Sequence, residues 1–346
     1  MNYFKISGKN LNEAWRNYAH MVARNYPCWA QIVSEYLNIY LNEISEEVFY
    51  DRYHHLKKNI SESSLSKIRD AAEILNIDFD KLLSINLIGD IARPTGCSTM
   101  LHKGANRKII IGHNLDWPDF GLTHQITSLV KLSVNEQNFM FIPGFAGILS
   151  IAMGINAFGV GVFMHDSYTL NQYSAIERFP IGISLFELLS KIENAETLAQ
   201  SLSKLKFPYG TIFFVIDKDD GYLIEHGIHK VWIRKISEGE TIYRTNHFME
   251  IGIQNIYEES CNRLKNLKSV GVRAEKNNDF TMQSLYDIIT NDGVFRKLTK
   301  ENVDSLMACS IHSIVYEPQQ ANVLSSFITD FPCEKPKAPK FINLFE

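Results

Sequence analysis

Cys97 stands in the run Thr95-Gly96-Cys97-Ser98-Thr99, and sixteen residues beyond Gly96 the chain reads Gly112-His113-Asn114-Leu115-Asp116-Trp117. A cysteine thiol has an ordinary pKa of about 8.5, so little of it is thiolate at neutral pH and a base must take its proton. If the Gly96–Cys97 bond breaks, Cys97 becomes the first residue of a chain. Its own α-amine, with a pKa of about 8, can then act as that base, directly or through one water, with no separate histidine. Gly96 suits such a cut, because without a Cβ it accepts strained backbone and leaves its carbonyl open to the Cys97 sulfur. The same stretch also reads as an ordinary strand–turn–strand, and a cysteine after a glycine is by itself a weak signal.

The other sequence patterns that suggest chemistry are weaker. Asp217-Lys218-Asp219-Asp220-Gly221 has a faint likeness to a calcium loop, but Gly221 stands where a ligand is needed and no Glu closes the loop, so a hairpin turn is expected. His226 and His229 flank a turn with no third ligand near in sequence, and His54-His55 lie in a polar helical stretch. The run 154–161 is not a G-x-G-x-x-G and follows no βαβ unit, which speaks against a dinucleotide site. No G-x-S-x-G or H-E-x-x-H occurs. Neither a metal nor an organic cofactor is called for.

The elements that must position Cys97 change character at that residue. Before it, Trp15, Tyr18, Met21 and Val22 recur at helical spacing, as do Leu65, Ile68, Ala71, Ala72 and Leu75 after Ser64. Asp78 is placed to cap a helix through Leu82, Leu83, Ile85 and Leu87. After Cys97, short β-branched and aromatic runs punctuated by Gly, Pro and Asn predict strands at 109–111, 129–134, 139–142, 148–153, 160–164, 211–216, 222–226, 231–234, 241–243, 312–316 and 322–328. Helices are expected over 181–205 and near 256–267 and 282–289. This order indicates an α+β layered fold rather than a doubly wound parallel sheet.

Composition narrows the function classes. The 346 residues are 45% hydrophobic and 21% charged, as in a globular protein, with a net charge of −4. That balance offers no electrostatic footprint for nucleic acid and no basic run for an anionic membrane surface. Five cysteines without a C-x-x-C pair argue against a disulfide scaffold or a Cys-rich zinc site. No signal-peptide core is visible at the amino terminus, and no stretch reaches the roughly 18 apolar residues of a spanning helix. A cytoplasmic location is the default expectation, with signal-less export left open.

Taken in order, the motifs resemble those of the N-terminal-nucleophile (Ntn) amidases: the choloylglycine hydrolase, acid ceramidase and N-acylethanolamine acid amidase group, together with the penicillin acyl-coenzyme A acyltransferases. Gly96-Cys97-Ser98-Thr99 followed by Gly112-x-Asn114-x-Asp116-Trp117 carries the likeness. Residues 78–86 look like the short helix before the cleavage site, and Gly154-Ile155-Asn156-x-x-Gly159 like a strand turn of the group. Thr245-Asn246-His247-Phe248 and Ser260-x-x-Arg263 are similar to motifs of the acyltransferase branch, and 311–318 to its penultimate strand. The resemblance spans roughly residues 70–335.

That resemblance implies a four-layer αββα sandwich, with segment 1–96 a helical pro-segment and 97–346 the catalytic domain, the two staying associated after self-cleavage at Gly96-Cys97. It implies Cys97 as nucleophile and its freed amine as base. Asp116 would orient the amine, Asn246 would donate to the oxyanion with Asn156 beside it, and Arg263 would hold the charge network. His113 and Trp117 fall at substrate-contacting positions, although His113 stands where the bile-salt and ceramide branches have an arginine. The implied reaction is hydrolysis of a linear, non-peptide N-acyl amide, lipid-like substrates included, through a Cys97 thioester. Acyl transfer to a second amine, and a cleavage-deficient homologue that only binds an acyl ligand or a protein, are the alternatives.

Overall fold

The computed structural model describes residues 2–92, 96–135, 138–167, 173–252, 258–299, 308–327, 332–333, 336 and 338–345. Arg93, Pro94 and Thr95, immediately before the candidate cut, lie outside the described residues. The chain opens with a strand, β1 (Tyr3–Ser7), and five helices: α1 (Leu11–Asn25), α2 (Trp29–Glu43), α3 (Glu46–Lys57), α4 (Glu62–Ile74) and α5 (Phe79–Ala92). Side chains cap several starts: Asn10 accepts from Glu13 N, Ser45 from Val48 N, Ser61 from Ser64 N and Asp78 from Lys81 N. Helix α4 therefore begins at a Ser61 cap, ahead of Ser64.

Strands dominate from Gly96 onward: β2 (Gly96–Lys103), β3 (Ile109–Trp117), β4 (Thr127–Asn135), β5 (Asn138–Phe145), β6 (Met153–Asn156) and β7 (Gly161–Asp166). Helices α6 (Ile181–Leu189) and α7 (Ala195–Lys204) follow, then β8 (Thr211–Ile216), β9 (Gly221–His226), β10 (Val231–Lys235) and β11 (Glu240–Arg244). The chain closes with α8 (Glu258–Asn277), α9 (Met282–Ile289), β12 (Cys309–Glu317), β13 (Asn322–Phe327) and β14 (Lys340–Asn343).

Two sheets result, one ordered β1-β4-β5-β6-β7-β8-β9-β10 and the other β11-β2-β3-β12-β13-β14. All pairings are antiparallel except β1 with β4. Alternation along the strands sorts the side chains. Leu101, Ile111 and Leu115 of one sheet meet Phe141, Phe163 and Phe214 of the other in a core between the sheets. Met100 and Ile110, one residue out of phase, pack with Leu264 and Leu267 of α8 and Leu285 and Ile289 of α9. On the far side, α1, α6 and α7 lie on the larger sheet. The order helices, sheet, sheet, helices is the expected αββα sandwich.

The helices before Cys97 share one core with the larger sheet, from Trp15 and Trp29 through Leu87 to Val162 and Phe213. Polar ties cross the same boundary: Trp29 Nε1 donates to Ala146 O (2.6 Å), and the Tyr18 hydroxyl meets Ser128 Oγ (3.0 Å). Asn86 of α5 accepts from Leu149 N (2.7 Å) and Ser150 N (3.0 Å).

Three local expectations change. Of residues 148–153 only Met153 is in a strand, the start of β6; before it, Asn86 of α5 takes backbone donors that a ladder would need. The helix expected over 181–205 is two helices, since Asn194 accepts from Thr197 N and starts α7 afresh. Strand β1 was not foreseen: five residues acquire strand character only by pairing with β4. The segment 217–221 is the expected turn, Asp217 Oδ1 accepting from Asp219 N and Asp220 N. Asn86→Leu keeps the branched shape but removes the acceptor of the Leu149 and Ser150 N–H groups, and should lower unfolding stability by about 2–5 kcal/mol in urea titration.

Candidate active site

The antiparallel register places Gly96 opposite Asp116 and Cys97 opposite Leu115. Period two then turns the Cys97 side chain toward the inter-sheet core and Asp116 toward α8. Strand β11 pairs with β2 only as far as Arg244 with Thr99. Beyond that point the ladder lacks a strand, and a side chain substitutes: Cys97 N donates to Asn246 Oδ1 at 2.9 Å. Cys97 is fully buried, its Sγ 3.3 Å from the Met164 carbonyl of β7. Burial pushes this thiol well above its ordinary range, the Asp116 and Asp166 charges push further, and Arg263 opposes them. In the uncut chain Cys97 is therefore a neutral thiol, and its nitrogen is an amide without basicity.

Arg263, from α8, reaches into this corner with every N–H employed. Nη1 donates to Cys97 O (2.6 Å), Ser98 Oγ (3.0 Å) and Asp116 Oδ2 (3.1 Å). Nη2 donates to Asn246 Oδ1 (2.8 Å), and Nε to Glu259 Oε1 (2.9 Å). Asp116 also accepts from Ser310 Oγ at 2.6 Å and lies 3.5 Å from Arg296 Nε. Burial raises its pKa, while Arg263, Arg296 and the Ser310 hydroxyl pull the other way. Glu259 closes the cluster; burial works against its charge, yet Arg296 and Arg263 draw it to about 2. The corner also explains Gly96. A Cβ there would come within 3.0 Å of Arg296 Nη1 and 3.1 Å of Asp116 Oδ2, so a side chain would displace the carboxylate from its partners.

The sequence-derived candidates therefore divide. Gly96, Cys97, Asp116, Asn246 and Arg263 converge. Asn246, however, faces its acceptor oxygen to Cys97 N and Arg263, while its Nδ2 donates to Asp166 O at 2.8 Å. Two donors on one oxygen fix this amide orientation, so in the uncut chain it holds the Cys97 nitrogen rather than offering a free donor for an oxyanion. Asn156 is not part of the site. It closes the β6–β7 turn, Nδ2 donating to Leu189 O and Ile192 O and Oδ1 accepting from Phe158 N and Val160 N. His113 is also misplaced as a substrate contact: it is buried between the sheets, with Nδ1 on Thr99 Oγ1. Sequence reasoning missed Arg296, Ser310 and Glu259. Ser310 lies beside the strand motif at 311–318 and Glu259 one residue before Ser260-x-x-Arg263, but Arg296 sits in no motif.

Trp117 does line a cavity, together with Leu115, Met164, Tyr36, Ile88 and Asp90, of about 70 Å³ measured to the centre of a water-sized sphere. It lies beside Cys97, since Leu115 is that residue's ladder partner and Met164 its sulfur's acceptor. Helices α2 and α5, from before the candidate cut, form one of its walls. Asp90 is its unusual member: buried, with Oδ1 accepting from Ile181 N at 2.7 Å at the start of α6. Burial raises this carboxyl to about 8, the Ile181 amide opposing and the Asp166 charge adding.

Among the described residues no group of His, Cys, Asp and Glu could hold a metal ion, and no helix is long and apolar enough to cross a membrane. Two stability measurements check these electrostatics. Arg263→Met should cost about 3–5 kcal/mol by leaving Asp116 poorly compensated, and adding Asp116→Asn should return part of that loss. For Asp90 the folded pKa exceeds the unfolded one of about 3.9, so its contribution to stability is complete below that value and is lost as pH rises toward 8. Asp90→Asn should accordingly gain on the wild type by at most roughly 1.4 kcal/mol per pH unit between pH 5 and 8, read from urea midpoints.

Among solved structures, the chain is similar to a mutant of the conjugated bile acid hydrolase of Clostridium perfringens (10% identity, 71% of this chain and 92% of that one covered, TM-score 0.47). It is similar to a Caenorhabditis elegans N-acylethanolamine-hydrolyzing acid amidase orthologue (15%, 64% and 93%, 0.48). A penicillin V acylase from Agrobacterium tumefaciens is a third (13%, 71% and 84%, 0.46). No curated protein sequence matches the chain. The family model of acyl-coenzyme A:6-aminopenicillanic acid acyl-transferase matches residues 102–326, well over half of the chain. With that match, the chain belongs to the acyl-coenzyme A:6-aminopenicillanic acid acyl-transferase family, within the Ntn group that its motifs resemble.

Proposed function

We propose that the protein is a cysteine amidase that cuts itself between Gly96 and Cys97 and then cleaves N-acyl amides through a Cys97 thioester. One observation carries this reading: the backbone nitrogen of Cys97 is held by a side chain, Asn246, inside the Arg263–Asp116 cluster. Any buried strand amide needs an acceptor, but here a further strand does not supply it; a side chain of the charge cluster does, and that acceptor suits a free α-amine as well as an amide.

In the first step Sγ adds to the Gly96 carbonyl carbon and the Gly96–Cys97 C–N bond breaks, the thiol proton passing to the departing nitrogen. Water then hydrolyses the Gly96 thioester, giving a Gly96 carboxylate and a free Cys97 with its amine. In turnover that amine takes the thiol proton while sulfur attacks the acyl carbonyl. It returns the proton to the leaving amine, and water releases the acid from the thioester. Asn246 Oδ1 and Asp116 orient the amine, and Arg263 keeps both in place. The cavity beside Cys97 serves the acyl group; its narrow, largely apolar form suits an unbranched chain. Because helices before the cut share the main core and wall this cavity, segments 1–96 and 97–346 stay together after cleavage.

Transfer of the acyl group to an amine is the second reading. Family membership favours it.

The test is intact mass under denaturing conditions, wild type beside Cys97→Ala. Two fragments, 1–96 and 97–346, co-eluting in native size exclusion, are expected from the wild type and a single chain from the variant. A wild-type chain that stays whole, even after incubation at mildly acidic pH, would sink the amidase reading and favour an acyl-ligand or protein-binding role. With cut protein, isolation of an acylated amine rather than free acid would identify a transferase.

A further inference from the structure

Three consecutive residues of β7 all touch the site. The Met164 carbonyl accepts from Cys97 Sγ (3.3 Å) and the Asp166 carbonyl from Asn246 Nδ2 (2.8 Å). Between them His165 is fully buried in the inter-sheet core, its Nδ1 3.0 Å from Thr245 O and its Nε2 2.5 Å from Thr99 Oγ1. Thr99 Oγ1 in turn lies 2.8 Å from His113 Nδ1.

Proton arithmetic fixes the direction of this chain. A carbonyl only accepts, so His165 Nδ1 carries the hydrogen and Nε2 is a bare acceptor. The single Thr99 hydroxyl hydrogen therefore goes to His165, and His113 must donate to Thr99 from Nδ1. That leaves His113 Nε2 as a buried acceptor with no partner among the described residues.

We infer that His165, held as the neutral Nδ1–H tautomer, is a positioning residue that sets Cys97 and Asn246 against one another. Two effects do this. Its bond to Thr245 O orients the peptide that carries Asn246, whose own N–H is held by Ser260 Oγ at 2.9 Å. Its bond to Thr99 docks β7 of one sheet on β2 of the other, two residues from the nucleophile. The groups around it, His113, Arg263, Arg244 and the Phe214 ring, supply no counter-charge. Burial draws its pKa to about 3, the Thr245 carbonyl opposing and the two arginines adding.

The catalytic part of this inference rests on the amidase reading, so the test has arms that do not. The protein labelled with 15N-histidine should show His165 and His113 as Nδ1–H tautomers that do not titrate between pH 5 and 8. An Nε2–H signal for His165, or titration in that range, would overturn the inference. With N-octanoyl-p-nitroanilide as probe, His165→Phe should lower kcat by about a hundredfold with KM within about twofold, as expected of a misplaced reacting group. His165→Asn, which keeps a donor near the Nδ1 position, should recover at least about tenfold of that. A kcat for the folded Phe variant within about twofold of wild type overturns the proposal. Should that variant not fold, the Asn variant and the tautomer spectrum decide. Should the wild type turn over no acyl anilide, the amidase reading falls alone. A crystal structure of His165→Phe then decides: Asn246 displaced from its present partners supports the inference, and an unmoved Asn246 and Cys97 overturn it.

Discussion

The Arg263 guanidinium is the piece on which the rest of the site depends. It bonds to the Cys97 carbonyl, the Ser98 hydroxyl, Asp116, Asn246 and Glu259, which come from two strands, a loop and a helix. Only a planar fork with five donors can satisfy that many acceptors at once; an ammonium presents three and no plane. The bonds are made in a fully buried corner, where an unpaired Asp116 would be costly. Helix α8 must therefore lie where it does, against β2 and β3, and Asn246 must turn its oxygen inward. The orientation of that amide, and with it the hold on the Cys97 nitrogen, follows from one cation.

Strand alternation supplies the second constraint. Because neighbouring residues in β2 and β3 face opposite ways, Cys97 and Thr99 point into the inter-sheet core while Ser98 and Asp116 point to the helix layer. The Cys97 sulfur and the charge cluster thus occupy opposite faces of one sheet and communicate through the backbone of Cys97 itself. His113, in phase with Thr99 and Leu115, is committed by the same rule to the inter-sheet core. There a neutral imidazole can be satisfied by a hydroxyl, whereas an arginine would carry a charge into an apolar layer.

The helices that precede Cys97 are part of the same body. Asn86 and Asp90, one helical turn apart on α5, each replace a missing hydrogen-bond partner in the sheet domain: one at Leu149 and Ser150, the other at the start of α6, where Pro180 provides no cap. Those two side chains couple the segment before the candidate cut to the wall of the cavity after it, so the cavity cannot form without that segment.

By itself the sequence determined the layered α+β architecture, the position of most strands, and the short motifs around Cys97, Asp116, Asn246 and Arg263. All of these rest on local periodicity or on residue types at fixed spacing. Tertiary structure decided what spacing does not encode. Asn156 carries an excellent turn sequence and is committed to that turn and to the carbonyls of Leu189 and Ile192 at a distant helix end. Arg296 and Ser310 join Asp116 from far along the chain and carry no local pattern of their own. Whether His113 meets a substrate or a threonine depends on which face of β3 the second sheet covers, and residues 148–152 lose their strand to an asparagine on α5. In each case the deciding partner is remote in sequence, and hydrogen-bond satisfaction on burial is settled only when the layers close.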